Sequence, residues 1–261
     1  MTRLVDSHAH LSGEEFDQDR IEVIEKSFRS GIAAILCPGE ITDSQNLENT
    51  LRIAEKFGNV IAAAGIHPHL AKNCTHGCLD KIEELAHSGK IHAVGEIGLD
   101  YHYNFSAPET QRKVFRLQLS LAQNLRLPVV IHSRNAAKDI MSAVKEEHFT
   151  QGGILHCFTE DWNFARHMID NKFLISFSGI LTYANAQPLR DVAARVPLEK
   201  LLIETDSPYL VPEPFRGKIK RNEPIYVKET ARTLAGLKNM SLGQVADVTT
   251  KNFESFFQIA I

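Results

Sequence analysis

The chain has 261 residues, of which 43% are hydrophobic and 23% charged, and its formal net charge at pH 7 is -3. This length can bury one large core, so we expect a single domain over residues 1–261. The slightly acidic balance argues against a protein that coats duplex nucleic acid, because such proteins present a broad basic face.

Short β-rich apolar runs alternate with longer segments of helical periodicity along the chain. Eight strands are predicted, over residues 4–10, 32–37, 60–66, 93–98, 128–132, 153–157, 173–178 and 201–206. Helices are predicted over residues 14–29, 47–57, 79–87, 109–125, 136–147, 162–171 and 189–195, and two more follow the last strand. Near-continuous apolar runs such as residues 129–131 are typical of parallel strands, which are covered on both faces. A doubly wound open sheet also fits this alternation, but eight strands in this length favour an α/β fold closed into a TIM (β/α)8 barrel.

Potential metal ligands lie at or near the ends of these predicted strands. The first strand ends in Asp6-Ser7-His8-Ala9-His10, and because strand side chains alternate between faces, His8 and His10 emerge on the same face. The others, on strands four, five, six and eight, are Glu96, His132, His156 and Asp206. The carboxyl ends of the strands of a parallel barrel share one rim, so these six side chains are expected to converge. The sequence therefore predicts a metal-dependent hydrolase.

No basic start leads into an apolar run, and no apolar stretch reaches about 18 residues, so we expect neither a signal peptide nor a membrane span. The four cysteines are too few and too scattered for a disulfide framework, which favours reduced thiols and a cytoplasmic location. Cys74 and Cys78, with His76 between them, offer too few ligands for a metal knuckle and predict an exposed loop.

Six segments together resemble the TatD family of metal-dependent hydrolases, within the amidohydrolase-like metal-dependent TIM barrels. They are residues 5–11 (VDSHAHL), 65–69 (GIHPH), 95–101 (GEIGLDY), 127–134 (LPVVIHSR), 155–159 (LHCFT) and 204–210 (ETDSPYL). The resemblance covers essentially the whole chain. It implies a barrel with a divalent metal centre that hydrolyses phosphodiester bonds in nucleic acid, as a deoxyribonuclease.

Carried over residue by residue, the resemblance makes His8, His10 and Asp206 ligands of one metal ion. It makes His132 and His156 ligands of a second ion, with Glu96 as a carboxylate bridge. Two ions about 3.5–4 Å apart can share a hydroxide and stabilise a phosphoryl group as charge builds on its oxygens. The predicted catalytic residues are Asp206, which would orient the nucleophilic water and take its proton, and Glu96.

The expected cofactors are two divalent ions per chain. Imidazole-rich sites favour zinc or manganese, whereas magnesium prefers oxygen ligands. Magnesium is nevertheless a common activator in the family that the chain resembles, so zinc, manganese and magnesium all stay open.

Further residues on the same rim are candidates for substrate contacts. His67 and Glu204 are candidates for a third metal ion or for substrate binding, although His67 could simply bond a loop and Glu204 could cap local backbone amides. The most basic stretch, residues 215–224, contributes Arg216 and Asn222 as candidate phosphate contacts. Arg134 could bind a phosphate or pair with a neighbouring carboxylate.

The most favoured function is a divalent-metal-dependent deoxyribonuclease. It would cleave single-stranded DNA or DNA ends, as a 3'-exonuclease would, by attack of a metal-bridging hydroxide. The alternative is an amidohydrolase-type enzyme that hydrolyses a small ester, amide or lactone, since the same centre would serve it. A non-catalytic binding protein is disfavoured by the full ligand set. The expected partner is DNA, with no membrane and no obligate protein partner.

Overall fold

The structure, a computed structural model, describes residues 3–261. Eight parallel strands lie side by side in chain order: β1 Leu4–Asp6, β2 Ile32–Glu40, β3 Val60–Gly65, β4 Ala93–Asp100, β5 Val129–Arg134, β6 Gly153–Leu155, β7 Phe173–Phe177 and β8 Leu201–Ile203. The backbone N–H of Ser7 donates to the carbonyl of Ile203 at 3.0 Å, and a parallel bridge joins Ala9 to Ser207, so β8 meets β1. The predicted (β/α)8 barrel is confirmed.

The α-helices follow the predicted positions, and most begin or end within three residues of them. They are α1 Arg20–Arg29, α2 Ser44–Lys56, α3 His76–His87, α4 Pro108–Leu125, α5 Ala137–Glu146, α6 Trp162–Asp170, α7 Gln187–Arg195, α8 Val227–Lys238 and α9 Leu242–Phe257. The largest difference is the first helix, predicted from residue 14, because a short 3-10 turn at Glu14–Phe16 precedes α1. None of the helices formed by residues 3–261 has both the length and the apolar composition needed to cross a bilayer.

Apolar side chains form one core between the strands and the surrounding helices and another inside the barrel. Phe253 and Phe257 of α9 join the inner core. Asn252 of the same helix donates to the carbonyl of Leu201, and Thr250 donates to that of Arg3, so α9 covers the amino ends of β8 and β1. One end of the barrel is therefore filled with apolar side chains, and the carboxyl ends of the strands are left for polar ones.

Three strands are shorter than predicted by two or more residues, and candidate ligands are among the residues that they lose. The sequence predicts that strands β1, β6 and β8 run to His10, Cys157 and Asp206, but they end at Asp6, Leu155 and Ile203. Cys157 and Asp206 have φ angles of 43° and 56°, a left-handed conformation that cannot continue a strand. The chain thus leaves the barrel wall just before the polar residues, whose side chains lie at the carboxyl-terminal opening of the barrel.

Strand β4 carries a β-bulge at the candidate bridging residue. Val94 pairs with Val129 and Ile97 pairs with Ile131, so three steps along β4 match two along β5 and one extra residue is inserted at Gly95–Glu96. Bulges re-aim side chains next to functional sites. Gly98 then pairs with His132 at a φ of 146°, and a Cβ there would lie 2.1 Å from the carbonyl oxygen of His132. A glycine is required for this close approach of β4 to β5.

Candidate metal centre

The structure brings all six predicted metal ligands together at the carboxyl-terminal mouth of the barrel. Three of them form one group: Nε2 of His8 lies 3.1 Å from Nε2 of His10, which in turn lies 3.3 Å from Oδ1 of Asp206. The loops after β1 and β8 supply this group, and they run side by side because of the bridge that closes the barrel. The two histidines face the same way although regular strand pairing ends before them.

A second group forms around the other half of the mouth. Oε1 of Glu96 lies 2.7 Å from Nε2 of His156 and 3.1 Å from Nδ1 of His132, and these two ring nitrogens are 3.2 Å apart. Oε2 of the same glutamate lies 3.2 Å from Nε2 of His8. Glu96 therefore presents one oxygen to each group, which is the arrangement expected of a carboxylate shared between two cations.

The donor atoms at the centre fit a divalent cation. Oε2 of Glu96 and Oδ1 of Asp206 are buried without a hydrogen-bond partner, among the atoms of residues 3–261. Buried charged oxygens are costly unless they are paired or coordinate a metal. Mixed imidazole and carboxylate donors suit late first-row cations. Among residues 3–261, three overlapping sets of potential ligands lie close enough to hold an ion: His8, Glu96 and His156; His8, His10 and Asp206; and His67, Glu96 and His132.

The imidazoles also set the charge of the central carboxylate. Burial alone would raise the pKa of Glu96, but the surrounding histidines, His156 first, hold it well below its ordinary value. Burial alone would lower the pKa of His156. The carboxylates of Glu96 and Glu204 outweigh this effect and raise the pKa of this histidine. Opposite charges on Glu96 and on its neighbouring imidazoles thus favour each other, and metal binding at such a site is coupled to proton release.

His67, a candidate for a third metal ion or for substrate, faces the second group. Its Nε2 lies 3.4 Å from Oε1 of Glu96, and its backbone N–H donates to Glu40 at 2.9 Å. Burial lowers the pKa of His67 to about 4, so its ring is neutral near pH 7. The bond expected to a loop is also present, since Nδ1 accepts from the backbone N–H of His69 at 3.2 Å.

Two carboxylates stand behind the histidines of the second group. Oδ2 of Asp100 lies 3.2 Å from Nε2 of His132, and Oε1 of Glu204 lies 3.3 Å from Nδ1 of His156. Carboxylates in this position fix the tautomer and the orientation of a ligating imidazole. Sequence reasoning gave Asp100 no role, although its place at the carboxyl end of the fourth strand was a usable signal.

Glu204 joins no ligand cluster among the residues that the structure describes. Its Oε1 accepts a hydrogen bond from the backbone N–H of Cys157 at 2.7 Å. This bond agrees with the alternative prediction that Glu204 caps local backbone amides. The side chain is fully buried and directed at His156. Oε1 thus orients His156, whereas Oε2 is buried with no hydrogen-bond partner among residues 3–261, and the third metal ion stays a prediction.

A buried aspartate ties the two loops of the first group together. Asp6 accepts hydrogen bonds from the hydroxyl and the backbone N–H of Thr205, at 2.5 and 2.9 Å. Burial raises the pKa of Asp6 to about 8, so it holds a proton near pH 7. Because Thr205 precedes Asp206, this contact fixes the β8 loop against the β1 loop.

The centre lies at the floor of a cavity of about 870 Å³, and Arg134 is one of the residues that line it. The guanidinium of Arg134 stands 4.7 Å from the ring of Tyr103, which leaves it beside the centre and in reach of an anion. Arg216 does not line the cavity, and its guanidinium lies 4.0 Å from the ring of Tyr183. Its predicted phosphate contact therefore lies outside the immediate centre.

The environment of Asn222 does not fit the predicted phosphate contact. The residue is fully buried, and its side-chain amide donates to the carbonyls of Thr205 and Tyr209 at 3.0 and 2.7 Å. Both amide hydrogens are thus used within the loop that carries Asp206. We assign Asn222 the structural role of holding this loop, because no donor of its side chain is left for a substrate.

Comparison with known proteins gives a consistent result. A profile of the family described as TatD related DNase matches residues 5–258. The uncharacterized metal-dependent hydrolase YabD of Bacillus subtilis is 41% identical over 257 residues, covering 98% of this chain and 99% of its own. The 3'-5' ssDNA/RNA exonuclease TatD of Salmonella typhimurium is 30% identical over 260 residues, with 98% and 99% covered. The crystal structure of YJJV, a TatD homolog of Escherichia coli, superposes with a TM-score of 0.91 at 27% identity over 99% of each chain.

Proposed function

This chain belongs to the TatD family of metal-dependent hydrolases, and from that premise we propose that it hydrolyses phosphodiester bonds of single-stranded DNA or of DNA ends, acting from the 3' end. The observation that carries the proposal is Glu96, whose two oxygens face two separate groups of ligands at the floor of an open cavity. The name of the Salmonella relative, a 3'-5' exonuclease, supports the choice of a nucleic acid as substrate.

We assign the first cation to His8, His10 and Asp206 and the second to His132 and His156, with Glu96 shared between them. His67 adds a further donor to the second group. When bound, two cations lower the pKa of a water molecule and stabilise negative charge on a phosphoryl group. The imidazole-rich donor set favours zinc or manganese, with magnesium as an alternative activator.

The side chains of this chain supply the remaining steps. Asp206 has a buried oxygen directed at the first group, and its carboxylate can orient the attacking water and accept its proton. Arg134 lines the cavity and can bind a non-bridging oxygen of the phosphate through its planar fork. Asp100 and Glu204 keep the rings of His132 and His156 in the orientation that presents a lone pair to the centre.

The test compares a short single-stranded oligonucleotide with a panel of small carboxyl esters, amides and lactones. Each is incubated with added zinc, manganese or magnesium, and with a chelator. We expect metal-dependent release of mononucleotides from the 3' end and no turnover of the panel. Turnover of a carboxyl ester or lactone, with the oligonucleotide left intact, would overturn the proposal in favour of the amidohydrolase-type alternative.

Elemental analysis of the purified protein tests the centre itself. We expect about two equivalents of divalent metal, and about one after His132→Asn or His156→Asn. His87→Asn is the matched control, since His87 is exposed on α3, far from the mouth. A single equivalent in the unaltered protein, unchanged by these substitutions, would contradict the two-ion assignment.

A further inference from the structure

Two large aromatic side chains stand half exposed at the mouth of the barrel. Tyr103 is 50% exposed and Tyr209 is 53% exposed, and both line the cavity that contains the candidate metal centre. Neither belongs to the ligand clusters, and neither is buried in a hydrophobic core. About half of each side chain is thus open to a molecule that enters the cavity.

The two tyrosines lie on opposite sides of the centre. Tyr103 follows β4 and Tyr209 follows β8, and these strands are separated by three others in either direction around the barrel. Their neighbours differ accordingly: the ring of Tyr103 contacts His69, whereas the ring of Tyr209 lies 5.9 Å from that of His10. His10, beside Tyr209, lies 3.6 Å from Oε2 of Glu96. His69, beside Tyr103, contacts His67, whose Nε2 lies 3.4 Å from Oε1 of Glu96. A molecule that crosses the centre would therefore meet one ring on each side.

The surroundings hold the ring of Tyr103 and the backbone of Tyr209 in place. Tyr103 stacks on Phe105 with 5.4 Å between ring centroids and 3° between planes, and the guanidinium of Arg134 lies 4.7 Å from its ring. Tyr209 is held through its backbone, since its N–H donates to Asp206 and its carbonyl accepts from Asn222. Ordering these aromatic groups before the ligand arrives lowers the entropy lost on binding.

We propose that Tyr103 and Tyr209 each stack one base of a single-stranded nucleic acid, on the two sides of the phosphodiester that is cleaved. The inference rests on the proposed function and deepens it. Aromatic rings accept any base, because every base has a π-face, and a cationic group beside them attracts the backbone. Arg134 supplies that charge next to Tyr103. A paired duplex keeps its bases stacked on each other, so only a single strand or a frayed end could occupy both rings.

The experiment uses the metal-loaded protein and the variants Tyr103→Leu and Tyr209→Leu. Three oligonucleotides of one sequence serve as substrates: an intact strand and two strands that carry an abasic residue on one or the other side of the terminal scissile bond. Phe256→Leu is the matched control, because Phe256 packs on the inner core near the amino ends of the strands. Thermal melting establishes that each variant is folded.

We expect either leucine variant to lower kcat/KM for the intact strand about tenfold, which corresponds to about 1.4 kcal/mol and to the loss of one stacking contact between a base and an aromatic ring. Each variant is also expected to become indifferent to one of the two abasic positions, while Phe256→Leu behaves as the unaltered protein. Equal cleavage of intact and abasic strands by the unaltered protein, or full activity of both leucine variants, would overturn the inference and leave the proposed function standing.

Binding gives a readout that does not depend on catalysis. In the presence of a chelator, fluorescence anisotropy is expected to show tighter binding of the intact strand than of either abasic strand, and a loss of this preference in the leucine variants. Stacking-dependent binding without cleavage under any metal would overturn the proposed function and support the stacking contacts. Equal binding of all three strands would overturn the contacts themselves.

Discussion

Oδ2 of Asp100 lies 3.2 Å from Nε2 of His132, on the side of the ring away from the nitrogen that faces Glu96. The other oxygen of Asp100 accepts the backbone N–H groups of His102 and Tyr103, at 2.8 and 3.0 Å. Burial would raise the pKa of Asp100, but these hydrogen bonds, that of His132 first, hold it well below its ordinary value. An ionised carboxylate in this place keeps the proton of His132 on Nε2 and leaves Nδ1 free for a metal.

Asp100→Asn is expected to lower metal affinity or kcat about 10- to 100-fold, because a neutral amide no longer fixes the tautomer of His132. Metal titration followed by oligonucleotide cleavage measures both quantities. Asp139→Asn is the control, since Asp139 accepts from Tyr101 and does not line the cavity. If metal affinity and kcat were both unchanged in Asp100→Asn, Asp100 would not position His132.

Asp206→Asn is expected to abolish turnover more completely than it weakens metal binding. The amide retains one oxygen that can coordinate, but it cannot accept the proton of the attacking water. We expect kcat to fall by about 10²- to 10⁴-fold. Elemental analysis and kcat are measured on the same preparation, beside Asp191→Asn on α7. A loss of metal in proportion to the loss of activity would assign Asp206 to metal binding alone.

Asn222→Ala is expected to destabilise the protein by about 2 kcal/mol, because two carbonyl groups lose their donors in a buried loop. Urea denaturation measures the free energy of unfolding. Asn163→Ala, at an exposed position of α6, is expected to change it little. A raised KM for the oligonucleotide with unchanged stability would instead restore the predicted phosphate contact of Asn222.

Arg221 and Asp19 give a pH-dependent contribution to stability. Arg221 donates to both oxygens of Asp19, at 2.8 and 2.7 Å, and this contact, despite partial desolvation, lowers the pKa of the carboxyl. Because the pKa of Asp19 is lower in the folded protein than in the unfolded chain, the contact stabilises the fold at pH values above the unfolded pKa, near 4. This stabilisation is lost as the pH falls through the folded pKa.

Asp19→Asn is therefore expected to lower the free energy of unfolding at pH 7 by less than about 1 kcal/mol, because the pair is screened by solvent. The difference from the unaltered protein shrinks as the pH falls below about 4 and disappears once the pH lies below the folded pKa of Asp19. Denaturation curves at several pH values measure this, with Asp247→Asn on the exposed side of α9 as the control. A difference that grew as the pH fell would exclude the pair as its source.

The repeating pattern of the chain was sufficient to predict the barrel and the convergence of the ligands. Apolar runs that alternate with helical periodicity indicate parallel strands, and the carboxyl ends of such strands meet at one rim. His8, His132 and Asp206 could therefore be brought to one place without any knowledge of tertiary contacts. Strand ends were less accurate, because departure from the barrel wall depends on backbone conformations such as the positive φ of Asp206.

Only the tertiary structure decided what each polar side chain contacts. Glu96 faces both ligand groups because a bulge between β4 and β5 re-aims it, and that bulge is a property of strand pairing. Asn222 looked like a phosphate contact in a basic stretch, yet closure of the β8 loop buries its amide against two carbonyls. Local sequence sets the type of element and the face on which a residue lies. The partner of a side chain depends on segments far apart in the chain, and their distance is fixed only when the barrel closes.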